Sequence, residues 1–288
     1  MVRKRSVLLT LAAAVAILPI DRATAQVVAS EAFDMQADQE LGGTSGPTST
    51  GWEGNWFNFN GVASGDVVSG SLARPVGTES FFPEPTGNSV FLSGLRGNRR
   101  QSVGTLSSSA GSLAVSFLAR PFVGFASGFV INFTVTSNCC GGGTDISFGN
   151  MPNSATENNG RWAISNGITP MDTGNSFTDE VDAVVFELTY NVAGDNDLLR
   201  VWFDADPNTQ PPTFSTQGAN FGVASDRFIV GFNSSNNFGG STLAFDELRV
   251  GRTLADVTIP EPGATSLVLL GLASLGSLRN RRRQTRVS

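Results

Sequence analysis

The feature that most constrains this chain is a period of two. Leu113, Val115, Phe117 and Ala119 alternate with Ala114, Ser116 and Leu118, and the run stops at Arg120-Pro121. Successive side chains of a strand point to opposite faces, so this spacing predicts a half-buried strand and excludes an amphipathic helix. Phe129, Ile131, Phe133 and Val135 repeat the pattern against Asn132 and Thr134. Further strands are expected over residues 182–190, 198–204, 227–232 and 242–250, with shorter ones at 27–33, 66–72, 89–92, 101–106 and 145–148. The run 161–165 precedes Asn166-Gly167 and Ile168, the pair that favours a two-residue hairpin. Clusters of Gly, Asn, Ser and Thr at 41–51, 151–160 and 233–241 read as loops, and no heptad, repeat or long helix interrupts residues 26–258. About a dozen short strands joined by Gly-rich turns predict an all-β fold: one two-sheet antiparallel sandwich, a jelly roll. Twenty-one Phe and four Trp against one Tyr fill its interior with rings that mostly lack a polar tip.

The two ends differ from this body. Arg3-Lys4-Arg5, an apolar run at 7–20 and the small-x-small triplet Ala23-Thr24-Ala25 make residues 1–25 a signal peptide, with cleavage expected at Ala23 to Ala25, before Gln26. At the other end, Pro260-Glu261-Pro262 precedes an uncharged run at 263–278 and the cluster Arg279, Arg281, Arg282 and Arg283. Proline cannot extend a helix backwards, so a helix is expected to start just after Pro262. At about 1.5 Å per residue it is short for a hydrocarbon core of roughly 30 Å, though local thinning accommodates it as a transmembrane helix. The arginines stay on the cytoplasmic side, which places the body across the membrane.

This three-part tail, residues 259–288, resembles the PEP-CTERM sorting signal of Gram-negative bacteria. The motif matches at Pro260, Glu261 and Pro262, with the apolar helix and the arginines in order. The resemblance implies a processing partner, the membrane transpeptidase exosortase. It also implies export across the inner membrane, transient anchoring there through the C-terminal helix, and a final place at the cell surface or outside the cell. The competing reading is a plain single-span anchor. Neither says anything about the chemistry of residues 26–258.

Within 26–258 lie ten of the 19 basic residues, all Arg, and 23 of the 25 acids, a net charge of −13. Such a surface argues against nucleic acid or anionic membrane as a partner. The chain has no His, which removes the commonest general base and transition-metal ligand together. Its only cysteines, Cys139-Cys140, leave open a vicinal disulfide, an intermolecular link or two thiols on a Gly-rich loop.

Two stretches look like the opening and closing signatures of concanavalin A-like (laminin G-like) jelly-roll domains: Glu31-Ala32-Phe33-Asp34 with Gly51-Trp52-Glu53-Gly54-Asn55-Trp56, and 244–251 with 255–258. That resemblance implies that the first and last strands pair. Glucanases of this fold carry Glu-x-Asp-x-Glu or Glu-x-Asp-x-x-Glu on one strand. Here Glu180-Val181-Asp182 is followed by Val184 and Val185, and Glu187 points away from Asp182 on a period-two strand. Asp246 and Glu247, being neighbours, are likewise expected on opposite faces. A Ser-His-Asp triad is impossible without His. No enzyme, no cofactor and no metal are therefore expected. Asp195-Asn196-Asp197 after Gly194 could offer oxygens to Ca²⁺ or form an ordinary turn. Trp52 and Trp56 are candidate stacking rings for a glycan, or else pack over the open end of the sandwich; Trp162 and Trp202 belong to the core. The expected function is a non-catalytic surface or extracellular-matrix protein of structural or adhesive role. The alternative is a carbohydrate-binding module for extracellular polysaccharide, and a glycan hydrolase is a minor third reading.

Overall fold

The computed structural model describes residues 27–58, 65–93, 96–102, 112–122, 130–135, 144–149, 160–165, 170–190, 197–219, 228–234 and 242–258. In chain order the strands are β1 (Ala29–Glu31), β2 (Gln39–Glu40), β3 (Trp52–Asn58), β4 (Asp66–Val68), β5 (Ser89–Ser93), β6 (Arg96–Ser102), β7 (Ser112–Pro121) and β8 (Val130–Val135). They continue as β9 (Thr144–Gly149), β10 (Arg161–Ser165), β11 (Pro170–Ser176), β12 (Asp182–Thr189), β13 (Asp197–Phe203), β14 (Phe214–Ala219), β15 (Phe228–Ser234) and β16 (Thr242–Gly251), followed by the short helix α1 (Leu254–Thr258).

The described strands form two antiparallel sheets, the all-β sandwich expected. One runs β14-β13-β12-β7-β16-β5-β4-β2, with β1 also paired to β16; the other runs β11-β10-β9-β8-β15-β6-β3. The first and last strands meet as the resemblance implied: Ala29 faces Val250 and Glu31 faces Leu248. Between the sheets a line of rings crosses the core. Trp52 lies 6.5 Å from Trp56, Trp56 5.7 Å from Phe33, Phe33 6.0 Å from Phe245, Phe245 5.2 Å from Phe117, Phe117 6.1 Å from Phe148, and Phe148 4.9 Å from Phe186. Offset and edge-on contacts at such separations add to what area burial alone supplies.

Two expectations need correction. β7 is buried on both faces, not one. Its second face, with Ala114 and Leu118, packs with Ala183, Val185 and Trp202 under Phe81, Phe82 and Val257. The segment between β4 and β5 and the helix α1 thus roof the outer side of the nine-stranded sheet. The hairpin after β10 is also longer than read. Ser165 pairs with Pro170, so residues 166–169 form the connection and Ile168 is not in the return strand.

Among the described residues no helix is long and apolar enough to cross a membrane. The signal peptide, Cys139-Cys140, Asp195-Asn196 and the tail from Ile259 lie outside the described residues.

Candidate functional site

Where the first and last strands meet, the opening signature is buried. Glu31, 1% exposed, sits at the end of β1. Its Oε2 accepts the Trp56 indole N–H at 3.0 Å, and its Oε1 accepts the Ser49 hydroxyl at 2.5 Å and the Phe33 amide at 3.2 Å. The Trp52 indole N–H donates to the Ser30 carbonyl at 2.8 Å. Trp52 and Trp56 therefore do not form an exposed stacking platform. Of the two readings open to them, the structure adopts packing over the end of the sandwich, because both rings find partners for their N–H groups inside. Beside them Asp34 Oδ2 accepts the Thr48 amide at 3.0 Å, while Asp34 Oδ1 is buried without a hydrogen-bond partner.

On β16 the alternation breaks. Asp246 faces Leu118 and Arg249 faces Ser116, so a bulge lies between them, with Glu247 at φ +50°. Asp246 and Glu247, expected on opposite faces, instead both reach the segment that roofs the sheet. Asp246 Oδ2 accepts the Leu72 amide at 2.8 Å, and Glu247 Oε1 accepts the Thr86 amide at 2.6 Å. Burial drives both carboxyls upward, Asp246 to about 8, against the pull of those amides. They are roof fasteners.

A third carboxyl joins the sheets. Asp182 begins β12 in one sheet, and its Oδ2 accepts the Trp162 indole N–H, from β10 in the other, at 2.7 Å. Asp204 follows β13 with φ +51°, and its Oδ1 accepts the Ala183 amide at 2.7 Å. The Asp182 and Asp204 side chains hydrogen-bond each other, which requires a proton between them. Burial, Asp204 and Glu180 push Asp182 up to about 7 against the Trp162 bond; burial is the largest cause for Asp204 too. Sequence reading missed this pair because the two residues are on different strands. Glu187 points the other way, as expected, and meets Arg200 at 2.6 Å. Trp162 and Trp202 are 0% and 2% exposed, both in the core as expected.

The outer face of the seven-stranded sheet is small and polar along one row of paired residues: Ser165, Ser147, Asn132, Gly231, Arg99 and Phe57. Three acids of the described strands share that face. Asp145 and Glu53 are the ends of one row, through Thr134, Ile229 and Gln101. Four strand spacings separate them, about 19 Å. Asp172 lies two strands and four residues from Asp145, about 16 Å away, and is paired with Arg161 at 3.1 Å. A glycosidase pair needs roughly 5–9.5 Å. Among the described residues no group of three or more acids, Cys or His is arranged to hold a metal.

The domain ends in a clasp. Thr253-Leu254-Ala255-Asp256 is a capping box: Asp256 Oδ2 accepts the Thr253 amide at 2.8 Å and the Arg252 amide at 2.9 Å. The Ser116 hydroxyl of β7 donates to the Val257 carbonyl at 3.0 Å. Val257 and Thr258 are 0% and 1% exposed. From that buried residue onward, 258–283 match the family described as the PEP-CTERM protein-sorting motif. The tail is a PEP-CTERM sorting motif. Pro260, Glu261, Pro262, Arg279, Arg281, Arg282 and Arg283 all fall within the matched residues.

No curated protein matches the chain. Among solved structures it is similar to an endo-β-1,4-glucuronan lyase from the fungus Trichoderma reesei, at 14% identity and TM-score 0.47, covering 77% of this chain and 96% of that one. It is similar to the Bacillus licheniformis β-glucanase at 11% identity and TM-score 0.41, covering 78% and 97%. A lectin from Bauhinia forficata, in complex with GalNAc, matches at 11% identity and TM-score 0.38, covering 69% and 97%.

Proposed function

We propose that this chain is an exported, exosortase-processed protein of the cell surface or extracellular matrix, whose sandwich has a structural or adhesive role and no catalytic one. The observation that carries the reading is the sorting motif that begins where the capped, buried end of α1 stops. The non-catalytic half is supported by the spacing of Asp145, Glu53 and Asp172, too wide for paired carboxylate chemistry, and by the absence of His from the sequence. Asp182 and Asp204 do lie close together, but Asp182 is engaged by a core tryptophan between the sheets.

The test is replacement of Pro260-Glu261-Pro262 by Ala-Ala-Ala in the full chain. Retention of the protein in the inner membrane is the expected result, and unchanged release or surface display overturns the reading. Mass spectrometry of both ends of the mature wild-type protein checks the cleavage before Gln26 and the loss of Arg279 to Arg283.

A second reading, glycan recognition, is favoured by one observation. The small polar row across the outer face of the seven-stranded sheet ends at Phe57, an exposed ring (46%) on its edge strand. Binding of neutral or acidic polysaccharides to residues 26–258 on a glycan array, lost in Phe57→Ala, supports it. Silence across the array favours the structural role.

A further inference from the structure

The described fold stops with no slack. Thr258 is buried, its hydroxyl donates to the Leu254 carbonyl at 2.8 Å, and Pro260 is two residues on. An extended chain spans at most about 3.6 Å per residue, so Pro260 lies within about 7 Å of a buried atom and Gly263, where the apolar run begins, within about 18 Å. With the tail in the membrane, the face of the sandwich that carries α1 is held close to the bilayer. The processing enzyme must then reach Pro260-Glu261-Pro262 in the gap between them.

The clasp is the one part of this junction that can give. It is only five residues long. It is held by the Asp256 capping box, by the Ser116–Val257 bond, and by one 3.5 Å contact from Asn208 Nδ2 to Thr258 Oγ1. Releasing residues 252–258 from β7 adds seven residues of chain, about 24 Å of reach. Gly251 marks the hinge side of the contact: a Cβ there would stand 2.4 Å from Asp256 Cβ, so closure depends on a residue without one.

We propose that α1 is a releasable clasp that controls access of the processing enzyme to the sorting motif: closed, it holds the motif against the domain, and open, it presents it. This rests on the sorting function proposed above. When opening and reclosing are fast relative to cleavage, processing of a transiently opened segment follows the population of the open form. The maturation rate therefore reports the clasp.

The test is pulse-chase maturation of the full chain in its host, following loss of the arginine-rich end. In one variant a Gly/Ser insertion of about 12 residues, roughly 19 Å of mean reach, separates Thr258 from Ile259 and leaves every contact of α1 in place. In another, Asp256→Ala removes the cap. Both mature faster than wild type, Asp256→Ala by about fivefold, the equivalent of about 1 kcal/mol of cap, and Asp256→Ala adds nothing in the insertion background. A thermal melt of the matured Asp256→Ala sandwich separates clasp release from misfolding. If the insertion variant matures at the wild-type rate or more slowly, the clasp inference is overturned while the sorting reading stands. If wild type itself keeps Arg279 to Arg283 outside the cell, the sorting reading fails and the inference fails with it.

Discussion

Trp162 donates its indole N–H to Asp182 across 2.7 Å, from one sheet of the sandwich to the other, and the accepting carboxyl is raised to about 7. A polar side chain therefore helps to hold two layers that otherwise meet through apolar rings.

The stability of the sandwich depends on that proton. An Asp whose folded pKa is raised binds its proton more tightly folded than unfolded, where its value is about 3.9. Its contribution is most favourable below about pH 4, falls as pH rises to about 7, and is constant above. Asp182→Asn keeps an oxygen for Trp162 and removes the charge. At pH 8 it stabilises residues 26–258, by no more than about 4 kcal/mol, and the difference from wild type shrinks towards pH 4. Urea titrations across that range measure it, and a pH-independent difference contradicts the assignment.

Trp162→Phe leaves Asp182 buried with one donor fewer. The expected cost at neutral pH is about 1–3 kcal/mol for the lost hydrogen bond, beyond any packing loss. In the Asp182→Asn background the cost is smaller, because the unpaired group is no longer charged, and a double-mutant cycle reads the coupling directly.

Trp56→Ala is expected to behave as a core truncation, not as the loss of a surface platform. It opens a cavity beside Phe33 and leaves Glu31 Oε2 without its indole donor, so about 3–5 kcal/mol of stability is lost. A Trp56→Ala protein that melts like wild type and only loses ligand binding contradicts its burial.

Gly51→Ala tests the seating of the first strand. Gly51 has φ +73°, and a Cβ there would stand 1.9 Å from the Val28 carbonyl oxygen, next to the bond that the Val28 amide makes to the Val250 carbonyl at 2.8 Å. Backbone cannot move aside as a flexible side chain does, so a loss of about 1–3 kcal/mol or more is expected. Amide exchange should quicken at Val28 and Ser30.

Each stretch with alternating apolar residues contains a strand of the sandwich. The strands that sequence reading overlooked, β2, β3 and β14, all lie at sheet edges, and the other edge strand, β11, was read only as the far side of a hairpin. An edge strand is not flanked by a strand on both sides, and its residues, such as Gly54 and Asn55 in β3 or Pro170 and Gly174 in β11, carry turn composition instead of alternation. The two-sided burial of β7 was illegible for another reason: its cover comes from Phe81 and Phe82, far away in sequence and outside any strand. The bulge at Glu247 hid the shared destination of Asp246 and Glu247, since one extra residue shifts the alternation. The sorting motif, by contrast, was readable because its order of proline, apolar run and arginine is linear along the chain.

β16 has a mechanical consequence. It leads directly into α1 and the tail, and it is bonded along one side to β7 and along the other to β5 and then β1. If the tail is where the protein is fastened, drag on the sandwich pulls β16 lengthwise between its neighbours. Its rungs are then loaded in shear and must yield together, so the strand that completes the fold is also the one placed to bear tension.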